Sequence, residues 1–136
     1  MRTLIVAVTF IMATTVAHAE SVHLAPKHAK ALVGVWEGPY TILEKGWKGR
    51  GTLTITNGNA EGVQGYMEWR WNGDGYDRHP KTGTMKGEIL NDGRLHFGDW
   101  SLTLLKSEDT YSFTAREQLR VGLTDHTWSR SGVVLE

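Results

Sequence analysis

The chain has 136 residues, with 15 Lys+Arg against 15 Asp+Glu and no cysteine. That length has room for one domain. Balanced charge leaves no electrostatic footprint for nucleic acid or an anionic membrane. The missing thiols exclude disulfides, thiol catalysis and thiolate metal sites.

The N-terminus has its own logic. Arg2 gives a short positive start, Leu4 to Met12 is almost unbroken apolar sequence, and Ala17-His18-Ala19 presents small residues where a signal peptidase reads. Residues 1–19 therefore read as a secretory signal with cleavage before Glu20, and the expected location is periplasmic or secreted. The apolar run is too short to span a bilayer comfortably, so no membrane span is expected once the signal is removed. Residues 20–31, ESVHLAPKHAKA, are polar and read as a loose lead-in, with a single helical turn over Pro26 to Ala31.

Residues 32–136 read as one β domain. From Leu32 onward the apolar period is two. Leu32 to Leu43 is the first predicted strand, with a break at Pro39 and Gly34-Val35-Trp36 at its start. Arg50 to Thr56 alternates strictly, and Asn57-Gly58-Asn59 is a hairpin signal. Glu61 to Trp71 is the longest strand, with Val63, Gly65, Met67, Trp69 and Trp71 on one face. Asn72 begins a loop running to about Thr82. Further strands are expected over 84–90, 94–98, 99–106 and 110–117, the last with Tyr111, Phe113 and Ala115 on one face. Gln118 to Asp125 reads as a loop, and His126 to Val134 as the final strand.

About eight strands joined by hairpin-type turns define an all-β chain. An antiparallel up-and-down meander closing into a small barrel is favoured, because closure removes exposed edges. A β-sandwich fits the same count. A barrel of eight strands is just wide enough to pack side chains or hold one small ligand.

Gly34-Val35-Trp36 resembles the Gly-x-Trp signature of lipocalins and avidin-like barrels, and Arg130 in Trp128-Ser129-Arg130 is placed as the last-strand arginine that packs on that tryptophan in lipocalins. The resemblance implies a calycin-type barrel with Gly34, Trp36 and Arg130 at its closed end. It does not extend to biotin, because Glu37-Gly38-Pro39-Tyr40 stands where avidin-like proteins place their polar biotin-holding residues.

Six tryptophans are the most unusual feature of the composition. They can line a pocket that stacks on a sugar or another flat ligand, or they can fill a core that has no disulfides. Trp36 reads as core. Trp69 and Trp71 end the longest strand beside the longest loop, where a barrel mouth is expected. With Met67, Trp100 and Tyr111 they form the candidate ligand-binding set; Trp47 and Trp100 sit beside turns as rim residues.

No residue pattern sets up catalysis. His79, His96 and His126 lack zinc spacing, the Asn72-to-Asp77 loop departs from a calcium loop at its glycine and glutamate positions, and no nucleophile elbow or phosphate loop is present. Neither a metal nor a cofactor is expected. The leading reading is a small-molecule binder for an apolar or flat ligand. The second is a protein-binding module, such as an inhibitor of an extracellular hydrolase, acting through loops 72–81 and 118–125. The third is an enzyme of unrecognised type.

Overall fold

In the computed structural model, residues 19–70, 80–119 and 122–136 are described. Residues 1–18, Trp71 and most of the long loop after it, and residues 120–121 lie outside them. Nine strands follow in order: β1 (Glu20–Val22), β2 (Gly34–Ile42), β3 (Trp47–Asn59), β4 (Gly62–Arg70), β5 (Met85–Ile89), β6 (Leu95–Phe97), β7 (Trp100–Ser107), β8 (Thr110–Leu119) and β9 (Gly122–Ser131). From β2 to β9 each strand pairs antiparallel with the next, and β9 pairs back with β2. The result is a closed eight-stranded meander barrel with one extra strand. It is a barrel and not a sandwich.

The period-two pattern explains the closure. On β4, Val63, Gly65 and Met67 are buried while Gln64, Tyr66 and Glu68 reach partly to solvent. On β8, Tyr111, Phe113 and Ala115 turn inward. Leu53 and Ile55 of β3, Leu102 and Leu104 of β7 and Trp128 of β9 complete a continuous core. Burial of this kind, at about 25 cal/mol per Å² of apolar surface, is the main force holding a disulfide-free domain together.

Residues 20–31 are not a loose lead-in. β1 pairs with Leu104–Lys106 of β7, on the edge left open by the three-residue β6. A 3-10 helix, Pro26–Leu32, then crosses the barrel end and carries Ala29 and Leu32 into the core, neither with any exposed surface. The helix is the turn expected over Pro26 to Ala31, one residue longer; the three-residue strand is too short to show a period, so that part reads as polar.

Other boundaries move for identifiable reasons. β2 runs through Pro39 without breaking; only its ladder to β9 passes over Gly38 and Pro39, the residue with no N–H. The hairpin signal at Asn57-Gly58-Asn59 lies within β3, after an irregularity between Ile55 and Asn57, and the turn comes at residues 60–61. Gly58 is needed for a close approach instead: a Cβ there would lie 2.3 Å from the carbonyl oxygen of Ala29 in the helix. Residues 118–119 and 122–125 are strand, with Gln118 opposite Leu123 and Leu119 opposite Gly122, so most of the expected 118–125 loop is paired strand. The inward residues of β9 start Gly122, Thr124, His126, which disguised the alternation.

Candidate functional site

The two ends of the barrel differ. At the helix-covered end, Trp36 is fully buried, donates its indole N–H to the Leu32 carbonyl at 2.9 Å, and packs on Phe113 with ring centroids 4.7 Å apart. Arg130 donates to the carbonyl oxygen of Val33 at 2.5 Å. A Cβ on Gly34 would fall 2.2 Å from that guanidinium, so glycine makes room for the arginine. Gly34 and Arg130 thus meet at the closed end, where Trp36 is also buried. Tyr111 is there too, opposite Arg130 in register and under the Lys106 ammonium.

The opposite end collects aromatic side chains from four strands: Tyr40 of β2, Trp69 of β4, Trp100 of β7, and His126 and Trp128 of β9. Register explains how they fit. Tyr40 lies opposite both His126 and Gly49, and Gly38 lies opposite Gly51. A Cβ on Gly49 would stand 2.5 Å from the Tyr40 ring, and one on Gly51 would stand 3.1 Å from Trp128 Nε1 and 3.3 Å from Trp69 Cδ1. Glycines on the inner face of β3 therefore form a floor over which large rings lie.

His126 is the centre of this cluster. Its ring stacks with Tyr40 (5.3 Å, 16°) and with Trp128 (5.0 Å, 19°), and meets Trp100 edge-on (4.9 Å, 83°). Trp69 stacks with Trp100 at 5.9 Å. The Trp69 indole N–H donates to His126 Nε2 at 3.0 Å. An indole nitrogen can only donate, so Nε2 carries no proton and the neutral ring carries it on Nδ1. That Nδ1 is buried and has no hydrogen-bond partner among the described residues.

Burial lowers the His126 pKa to about 4, opposed only in part by the charge of Asp125. Burial also raises the Tyr40 pKa. At neutral pH the cluster is uncharged. Asp125 faces outward and is held by Arg116 through two hydrogen bonds of 2.6 and 2.9 Å, which keep its carboxyl below the usual range.

Of the five rings, Tyr40, His126 and Trp128 are buried; Trp69 and Trp100 are partly exposed. The segment after the long loop is tied to β4 beside them, through Trp69 N–H to Pro80 O and Thr82 N–H to Met67 O, both 2.9 Å. Where the β7–β8 ladder ends at Thr103–Thr114, a recess of about 420 Å³ lies among Ser101, Thr103, Thr114, Arg116, Asp125 and Thr127 and reaches inward to Ala115 and His126. Among the described residues, no group of three or more His, Asp or Glu side chains is arranged to hold a metal.

The expected ligand set is therefore divided. Trp69 and Trp100 come together at the end opposite the helix, hereafter the open end. Met67 is fully buried beneath, in the core. Tyr111 is at the other end of the barrel, because β8 starts there. Trp71 lies outside the described residues. Trp47 sits at the β2–β3 turn with the Lys45 ammonium 4.3 Å above its ring. Sequence reasoning missed Tyr40, His126 and Trp128; the signal available was His126 and Trp128 two apart on one strand face.

Fold and site define a closed eight-stranded antiparallel barrel with one plugged end and one aromatic end, an architecture compatible with calycin-type barrels. No protein-family model, curated protein or solved structure matches this chain.

Proposed function

We propose that this chain is an exported, lipocalin-like barrel that binds a small flat molecule at its open end, against Trp69 and Trp100. The observation that supports this reading is the uncharged cluster of five rings, two of them partly exposed, gathered from four strands at one end of the barrel. Partly exposed indoles over a buried aromatic layer offer a stacking surface and an apolar contact area. The Gly-x-Trp and Arg130 resemblance is in keeping with it, as is the signal-like segment at residues 1–19. Fold analogy alone is a weak warrant for function, so the site carries the argument.

The test is the indole N–H region of the NMR spectrum, assigned by single Trp→Phe variants. Flat aromatic probes are expected to shift the Trp69 and Trp100 signals and leave Trp36 unmoved. Uniform small shifts across all the indoles, or none, would count against the reading.

A second reading, a protein-binding module, is favoured by one observation: the barrel interior is occupied by side chains such as Met67, Phe97, Phe113 and Trp128, each at 0–1% exposure. Of the two loops expected to serve it, 118–125 is a strand hairpin, and most of 72–81 lies outside the described residues. Capture from the organism's own exported fraction would separate the readings, since a protein partner should survive loss of the Trp100 ring when the small-molecule site does not.

A further inference from the structure

His126 Nδ1 is the one buried side-chain polar atom without a partner among the described residues. An unmade hydrogen bond in such a place is costly, and a native fold retains one only with a reason. The other interactions of this ring are fully specified. Tyr40 and Trp128 stack on it, Trp100 meets it edge-on, and Trp69 occupies Nε2. The Trp69 bond also dictates what Nδ1 can do. With Nε2 held as the acceptor, Nδ1 carries the hydrogen and is a donor only.

The residues around it narrow the complement further. The cluster contains no carboxylate, ammonium or guanidinium; the nearest charges along β9 and β8, Asp125 and Arg116, face outward and satisfy one another. A charged ligand would leave water and meet no counter-charge, which is strongly unfavourable in a low-dielectric site. A donor set among aromatic rings suits a flat, uncharged molecule with an oxygen that accepts.

We propose that His126 Nδ1–H is the specificity-determining group of the open end, and that it donates to a carbonyl-type oxygen on a neutral planar ligand whose ring packs on Trp69 and Trp100. This rests on the small-molecule reading given above and adds to it the ligand's chemical class. Trp69 is a positioning residue as well as a contact, because its indole N–H fixes the imidazole tautomer. Trp69 and Trp100 are the two partly exposed rings of the five, so they are the ones a ligand's ring can pack on.

The experiment uses two probes of matched shape, 1-indanone and indane, which differ only by the carbonyl. Their affinities are measured by titration calorimetry on the mature protein and on two variants. His126→Gln retains an acceptor near the Nε2 position for Trp69 and lacks the Nδ1 donor. His126→Asn retains a donor near the Nδ1 position. The wild-type protein should bind 1-indanone about tenfold more tightly than indane, the value of one satisfied buried donor. That margin should collapse in His126→Gln and persist in part in His126→Asn. The imidazole Nδ1 resonance should also shift with 1-indanone and not with indane. Equal affinity of the two probes for the wild-type protein would overturn the assignment of Nδ1 while leaving the small-molecule reading intact. Failure of both probes to bind would overturn the small-molecule reading and this inference with it.

Discussion

Trp69 and His126, 57 positions apart in the chain, are joined across the barrel by a single 3.0 Å hydrogen bond from indole N–H to Nε2. The bond ties β4 to β9 at the open end and selects the imidazole tautomer. Trp69→Phe keeps most of the ring and removes the donor, leaving a second polar atom of His126 without a partner. The expected cost is about 1–3 kcal/mol in urea unfolding. The nitrogen spectrum of His126 should change from a single Nδ1–H form to a mixture. An unchanged tautomer in the variant would show that the bond does not set it.

Stability should depend on pH through His126. Its folded pKa, about 4, lies below the ordinary value of 6.5, so the unfolded chain binds the proton more readily. The contribution is fully present above about pH 6.5 and is lost as pH falls towards 4, where both states are protonated. The upper bound is about 3 kcal/mol over that window, at 1.36 kcal/mol per pH unit. His126→Gln should flatten this part of the profile in urea melts taken across the same range. A wild-type profile no steeper than that of the variant would contradict the burial of a neutral imidazole.

The glycine floor makes a graded prediction. Gly49→Ala places a Cβ 2.5 Å from the Tyr40 ring and 2.6 Å from the Arg70 carbonyl oxygen, a backbone atom. It should cost more than about 2 kcal/mol, as overpacking of an ordered interior does. Gly51→Ala meets indole atoms at 3.1 Å and beyond. Its loss should be under about 1 kcal/mol, because alanine restricts the unfolded chain more than glycine. Thermal or urea melts of the pair decide it, and a reversed order would mean that the rings do not lie over β3 as described.

At the closed end, Arg130→Leu removes the charged donor to Val33 and should cost about 1.5–3 kcal/mol. Arg130→Lys should recover only part of it, since a flexible ammonium lacks the planar guanidinium that occupies the space over Gly34. Flat-probe binding at the other end should be unaffected in Arg130→Lys. A loss of binding there, with stability retained, would mean that the two ends are coupled.

How much the sequence shows depends on repeat number and polarity. Nine residues of β4 carry their alternation plainly, and the inward face read from them, Val63 to Trp69, is the inward face of the barrel. β1 has three residues and pairs only because β6 is equally short, which no local pattern announces. β9 begins with a glycine, a threonine and a histidine facing inward, so its first residues read as a loop. The aromatic cluster was half legible. Trp69 and Trp100 are marked by their places beside turns, whereas Tyr40, His126 and Trp128 join them only through register and through the space above Gly49 and Gly51. Tyr111 shares a face with the core, yet register places it at the wrong end for that cluster.

The central claim is that the open end holds a small molecule. Native mass spectrometry of the protein, purified gently from its native host, tests it most directly. The account predicts a discrete mass excess that disappears on denaturation, belongs to a neutral molecule containing oxygen, and is absent from a Trp100→Ala variant that remains folded. A bare mass for the wild-type protein, together with no binding of either bicyclic probe, would contradict it.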